Sequence, residues 1–105
     1  MNPGKVVRSR VATLTDLPNV GRETAADLRL LGYERPDDIK GACPFEMHRR
    51  LCGITGHVHD PCVIDIFMSV TEFLAGDPPR PWWSFTRRRK DRLSQGAATT
   101  ADPAQ

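Results

Sequence analysis

Residues 60–81, DPCVIDIFMSVTEFLAGDPPRP, leave the middle of this chain little choice of conformation. Val63, Ile66, Phe67, Val70, Phe73 and Leu74 follow the three- and four-residue spacing of a helix that buries one stripe. Asp60 is a good N-cap, and Pro61 suits the first helical position, where its missing N–H leaves nothing unsatisfied. GDPPRP at 76–81 then stops the helix, because glycine closes the end and the prolines cannot continue it.

The other segments read as shorter helices. Arg22 to Leu31 fits one amphipathic helix, with Ala25, Leu28 and Leu31 at three-residue spacing and Gly32 as its C′ residue. Thr13 or Thr15 caps a short turn holding Leu14 and Leu17. Pro36 opens another short helix, with Asp37 and Asp38 in the first turn where the dipole favours acids. Pro44 opens a helix from about 44 to 52, burying Phe45, Met47, Leu51 and Cys52, and Gly53 and Gly56 are expected to break it. Trp82, Trp83 and Phe85 form an aromatic cluster that opens a last short helix running into Arg87–Lys90. No stretch alternates with period two, so the fold class is all-α, with about five short helices.

At 105 residues and 39% hydrophobic, the chain supports one domain with a small core. Residues 1–12 read as a flexible basic arm, 13–92 as the domain and 93–105 as a disordered tail. No apolar run reaches transmembrane length, and the basic N-terminus lacks the apolar segment of a signal peptide. Three cysteines, an odd number, then point to reduced thiols and a cytoplasmic location.

Net charge is +2, but it is unevenly divided. Residues 1–13 carry Lys5, Arg8 and Arg10 and no acid. Residues 14–79 hold six bases against eleven acids, and residues 80–93 hold six bases against Asp91 alone. An acidic body with two basic ends suggests a polyanionic partner, although the body itself does not attract DNA by its net field.

The stretch LPNVGRETAADLRLLG at 17–32 places a tight turn directly before the helix from Arg22. Small residues at such a turn leave the first amides of the helix open to an anion. The stretch resembles a helix-hairpin-helix DNA-binding motif, usually L-P-G-V-G followed by T-A and a leucine. Leu17, Pro18, Val20, Gly21, Thr24, Ala25 and Leu28 match, and Asn19 stands where the first glycine is usual, a residue that tolerates the left-handed conformation.

Together with ITGH, HDPCVIDIF and PPRPWWSFTRRRK, residues 13–90 resemble the pathogenicity-locus family of small bacterial helix-hairpin-helix proteins. Some members of that family are labelled mitomycin-resistance proteins. The resemblance implies backbone recognition of DNA by Asn19, Val20, Gly21, Arg22, Glu23 and Thr24, without sequence specificity. It also implies a monovalent cation among loop carbonyls, at the matching positions Thr15, Leu17 and Val20. Leu28 and Leu31 stand seven and ten residues after Gly21, as Val63 and Ile66 stand after Gly56. That spacing suggests a tandem, pseudo-symmetric pair of helix-hairpin-helix units, the second degenerate.

Two further features carry chemistry. Arg87, Arg88, Arg89 and Lys90 are expected to track phosphate, held in place if Trp82 and Trp83 dock on the core; the competing reading is a solvated, solubilising run. Alternatively the tryptophans stack on single-stranded bases. Cys52, His57, His59 and Cys62, spaced C-x4-H-x-H-x2-C, offer four ligands for tetrahedral zinc. The pattern lacks a C-x2-C knuckle, and the preferred reading is two cysteines acting as small hydrophobes beside a histidine-lined loop. A thiol of low pKa at a helix N-terminus is a third reading of Cys62.

The hairpin also resembles that of base-excision DNA glycosylases, with Asp37 or Asp38 at the distance of a catalytic acid. The flanking Val-Asp-Thr-His context is absent, and the chain is short for a base pocket. A non-enzymatic DNA-backbone binder is therefore expected, weak as a single copy and strengthened by a homodimer or a protein partner. The competing expectation is an interaction adaptor that uses the hairpin with Trp82 and Trp83.

Overall fold

The computed structural model describes residues 3–99, and side chains as far as residue 95. Among these residues there are five α-helices and no strand: α1 Arg22–Leu30, α2 Pro36–Ile39, α3 Pro44–Thr55, α4 Cys62–Leu74 and α5 Thr86–Thr99. Short 3₁₀ turns lie at Pro3–Lys5, Arg8–Arg10, Leu14–Asp16 and Trp82–Phe85.

Helix α4 is the central element. It packs against α2, α3, α5 and the 82–85 turn, while α1 packs on α3 and on the 14–16 turn. Phe67, Val70 and Phe73 of α4 are fully buried with Leu14, Leu17, Val20, Leu28, Ile39, Met47 and Leu51. A smaller cluster on another side of α4 joins Ile64 and Met68 to Phe85, with Phe45 packed against it. This two-sided burial explains why α4 is apolar beyond one stripe.

Local chemistry sets most helix ends. Gly32 and Gly76 take φ of +97° and +118°, where a side chain is disfavoured. Each closes its helix with a paired bond: Gly32 N to Arg29 O with Tyr33 N to Leu28 O, and Gly76 N to Phe73 O with Asp77 N to Glu72 O. At the start of α4, the Asp60 carboxylate accepts the Cys62 amide at 2.8 Å, so Asp60 does cap this end. Asp38, inside the first turn of α2, reaches back to accept the amides of Glu34 and Arg35 at 2.9 and 3.0 Å.

Four expectations are corrected. Helix α3 runs through Gly53 to Thr55. A single interior glycine costs about 1 kcal/mol, less than the burial of Met47 and Leu51 on the same helix returns. Helix α5 continues to Thr99, so the tail expected over 93–105 is helical as far as it is described; residues 100–105 lie outside the described residues.

The arm expected over 1–12 is docked from Pro3 onward, and residues 1 and 2 lie outside the described residues. Pro3 is buried, Val6 and Val11 pack on the core, and the Arg8 guanidinium lies 4.0 Å from the Phe73 ring centroid. Arg8 also donates to the carbonyls of Phe73 and Asp77. Finally, the repeat fails at its glycines. Gly21 is extended and starts α1 directly, whereas Gly56 is left-handed at +77° and ends α3, leaving a loop before α4.

Candidate nucleic-acid interface

The bend before α1 is held from within. Leu17 and Val20 are each 1% exposed, Pro18 is buried, and the Val20 amide donates to the Leu17 carbonyl at 3.3 Å. Asn19 takes φ of +65°, the left-handed conformation that its match to a glycine position requires. Its side-chain amide donates to Ser69 Oγ at 2.9 Å and to the Arg80 carbonyl at 2.7 Å. Ser69 in turn donates its hydroxyl proton to the Ile66 carbonyl at 2.6 Å. Asn19 thus bolts the bend to α4 and to the chain entering Trp82.

These bonds correct two members of the expected phosphate site. The Asn19 side chain and the Val20 amide are engaged inside the protein. What remains is the first turn of α1. Gly21 caps it in extended conformation with no side-chain hydrogen bond, and the helical ladder begins with Ala25 N donating to Gly21 O at 2.9 Å. The amides of Arg22, Glu23 and Thr24 are therefore the orphan donors of a helix N-terminus. Arg22 and Glu23 are exposed, and the Glu23 carboxylate competes with any incoming anion there.

Positive charge from the docked arm lies against the bend that precedes α1. Lys5 and Arg10 line an open groove of about 280 Å³ whose other wall includes Thr15, Asp16, Leu17 and Asn19 of the bend. The Asp16 carboxylate accepts the Ala12 and Thr13 amides at 2.9 and 2.8 Å, and these bonds, Ala12's foremost, hold its pKa below the usual carboxylate value. Thr15 and Leu17 border the groove, but Leu17 and Val20 are almost wholly buried. Of the three carbonyls matched to a cation site, Thr15, Leu17 and Val20, that of Leu17 accepts the Val20 amide.

The basic run divides. Arg89 is buried: its Nε donates to Asp65 Oδ1 at 2.8 Å, and Thr86 Oγ1 donates to Asp65 Oδ2 at 2.7 Å. That bond to Asp65 pushes the guanidinium pKa further up. Arg88 pairs with Glu72 at 3.2 Å and lies 5.1 Å from the Phe85 ring, and Arg92 lies 5.2 Å from the Phe45 ring. Arg89 is thus corrected from phosphate contact to structural ion pair. Arg87 and Lys90 stay exposed, with no partner among the described residues. Trp82 is half-buried, whereas Trp83 is 61% exposed, with its ring edge-on to Trp82 at 5.7 Å. Asp65, interrupting the apolar run CVIDIF, is the residue that the sequence reading missed; an acid inside a buried stripe was the available signal.

The cysteine–histidine group forms a loop clasp. Cys52 Sγ accepts the His59 amide at 3.3 Å, and the His48 ring bonds to the His59 carbonyl at 2.9 Å. Thr55 Oγ1 donates to Leu51 O, so its 2.8 Å contact with His59 Nε2 requires the histidine to be the donor. Among the described residues, no three His, Cys, Asp or Glu side chains are grouped to hold a metal ion, and Cys52, His57, His59 and Cys62 do not converge. The Cys62 thiol is pushed up in pKa by its hydrogen bond to Asp60 and by burial, which overturns the reading of it as a thiol of low pKa. Of the two acids weighed for chemistry, Asp38 is occupied by the amides of Glu34 and Arg35, and Asp37 is exposed on α2.

The chain matches the model of the Pathogenicity locus family over residues 7–91. It belongs to that family. Over 81 residues it is 36% identical to the Mitomycin resistance protein McrB of Streptomyces lavendulae, a match covering 77% of each chain. No solved structure matches. The stretch shared with the Pathogenicity locus family takes in the bend, all of α1 to α4 and the start of α5, but not Lys5. Among the described residues, no helix is long and apolar enough to cross a membrane.

Proposed function

We propose that this protein binds DNA weakly and without sequence specificity, gripping the phosphate backbone at the start of α1. The reading is supported by the helix start at Arg22, Glu23 and Thr24, which no side chain caps, and by a docked arm that holds Lys5 and Arg10 in a groove against Thr15, Asp16, Leu17 and Asn19 of the bend leading into it. The amides orient a phosphate oxygen, Arg22 adds a charge-assisted bond, and the arm supplies attraction that the acidic body lacks. A helix-hairpin-helix arrangement of the bend with α1 is part of this proposal. So few contacts give an affinity on the order of 10⁻⁴–10⁻⁶ M at physiological salt, so useful binding draws on a dimer or a partner. The relative's name speaks of mitomycin resistance without saying by what means; we take a role in the response to DNA damage as the working context.

The second reading, an adaptor without DNA affinity of its own, draws on the exposed Trp83. Fluorescence anisotropy with single-stranded, duplex and junction DNA at two salt concentrations separates the two. Binding that weakens steeply with salt supports the first. No binding at low salt to any DNA removes it and leaves the adaptor.

A further inference from the structure

Helix α5 has an inner and an outer side. Phe85, Thr86, Arg89 and Arg92 all contact the body of the protein. The 82–85 turn runs directly into α5, so Trp83 of the turn and Arg87 and Lys90 of the helix, at steps of four and three residues, fall on the side away from those contacts, and all three are exposed. Trp83 is not a loose ring: the half-buried Trp82 supports it edge-on, with the planes 83° apart. Arg88 and Arg89 are neutralised by Glu72 and Asp65, and Arg92 lies over Phe45 on the inner side, which leaves Arg87 and Lys90, among the described residues, to carry the unpaired positive charge on the side of Trp83. Asp91 lies at the margin of the same side and offsets part of it. The backbone three residues before Trp83 is fixed to the bend, since the Arg80 carbonyl accepts the Asn19 amide.

We propose that Trp83, flanked by Arg87 and Lys90, is a stacking platform for an unpaired DNA base, placed so that one DNA strand leaving the α1 site crosses it. An exposed aromatic face accepts any base, and the two cations meet the phosphates on either side of it. The preferred substrate is then duplex DNA with a single-stranded flank. This rests on the backbone-binding reading for the duplex half of the substrate. A protein partner with an aromatic-binding pocket is the competing occupant.

The test uses the full chain with three probes: oligothymidine, a blunt duplex, and the same duplex with a thymidine flank. The flank is expected to tighten binding about tenfold, and Trp83→Ala to abolish that gain while leaving blunt-duplex affinity unchanged. Trp83→Phe retains most of the gain. In a Trp82→Phe background, oligothymidine quenches the remaining tryptophan fluorescence. A flank that adds nothing, an absence of quenching, or an equal loss on blunt and flanked duplex overturns the platform, as does a protein partner lost in Trp83→Ala while DNA binding is unmoved. Flank-dependent binding and quenching without any blunt-duplex affinity supports the platform and removes the α1 reading instead.

Discussion

Arg89 and Asp65 form an ion pair inside the contact between α5 and α4, at 2.8 Å, with the carboxylate fully buried. It converts the middle of a run of basic residues from a surface feature into an anchor. With α5 anchored in this way, Arg87 and Lys90, on the side away from Asp65, remain exposed.

Breaking this pair from one side leaves a buried, unpaired charge. Asp65→Ala is expected to destabilise the protein by about 3–5 kcal/mol, whereas Asp65→Leu combined with Arg89→Met stays within about 2 kcal/mol of the parent. Urea denaturation of the two variants checks this. A single variant as stable as the double one shows that the charge is not desolvated.

Asn19 supplies a second test. Asn19→Gly relaxes the left-handed backbone yet removes the bonds to Ser69 and Arg80, with an expected net loss of about 1–2 kcal/mol. Asn19→Ala loses more, since alanine also resists φ of +65°. If Asn19→Gly gains stability in the same denaturation, the side-chain bonds contribute less than backbone relief.

The DNA reading predicts a ranking among arginines. With Arg22, Lys5 and Arg10 each meeting one phosphate, the log–log salt slope on duplex DNA is about −2.7. Arg22→Gln and Lys5→Gln each reduce its magnitude by about 0.9. Arg88→Gln leaves it unchanged, because that side chain pairs with Glu72. A slope insensitive to Arg22 and Lys5 removes the α1 site.

Asp16, Asp38 and Asp60 each accept backbone amides, and those bonds lower all three pKa values from 3.8. A carboxyl depressed in the folded state binds fewer protons there than in the unfolded chain. Its contribution is therefore present above the unfolded value and lost as pH falls through the folded one. Stability is expected to begin to fall as pH drops below the ordinary aspartate range of about 4. Asp16→Asn and Asp60→Asn flatten that fall in thermal melts taken across the acid range; an unchanged profile denies the caps a role.

Thiol labelling tests the α4 cap from another side. At pH 7.5, iodoacetamide is expected to modify the exposed Cys43 well ahead of Cys62, whose thiol Asp60 and burial hold protonated. Asp60→Asn speeds labelling of Cys62. Peptide mass spectrometry over a time course reads both rates, and equal rates in the parent contradict the assigned environment of Cys62.

The sequence by itself determined where the helices lie and where most of them begin, though not the ends of α3 and α5. The apolar stripe of α4, the proline starts of α2 and α3, and the glycine stops at 32 and 76 all follow from neighbours within a few residues, because helix periodicity and capping are local chemistry. A bend ahead of α1 was legible too, but the left-handed residue in it is Asn19, while Gly21, the residue free to take positive φ, is extended. Only the tertiary structure decided which polar groups remain available. Asn19 is engaged by Ser69 and Arg80, Arg89 by Asp65 and Arg8 by Phe73, partners that lie 24 to 65 residues away along the chain. A buried donor or charge must find its partner wherever packing brings one within reach, and no local pattern records that distance. The family could therefore be read from the string, while the division of its basic residues between anchoring and presentation required the fold.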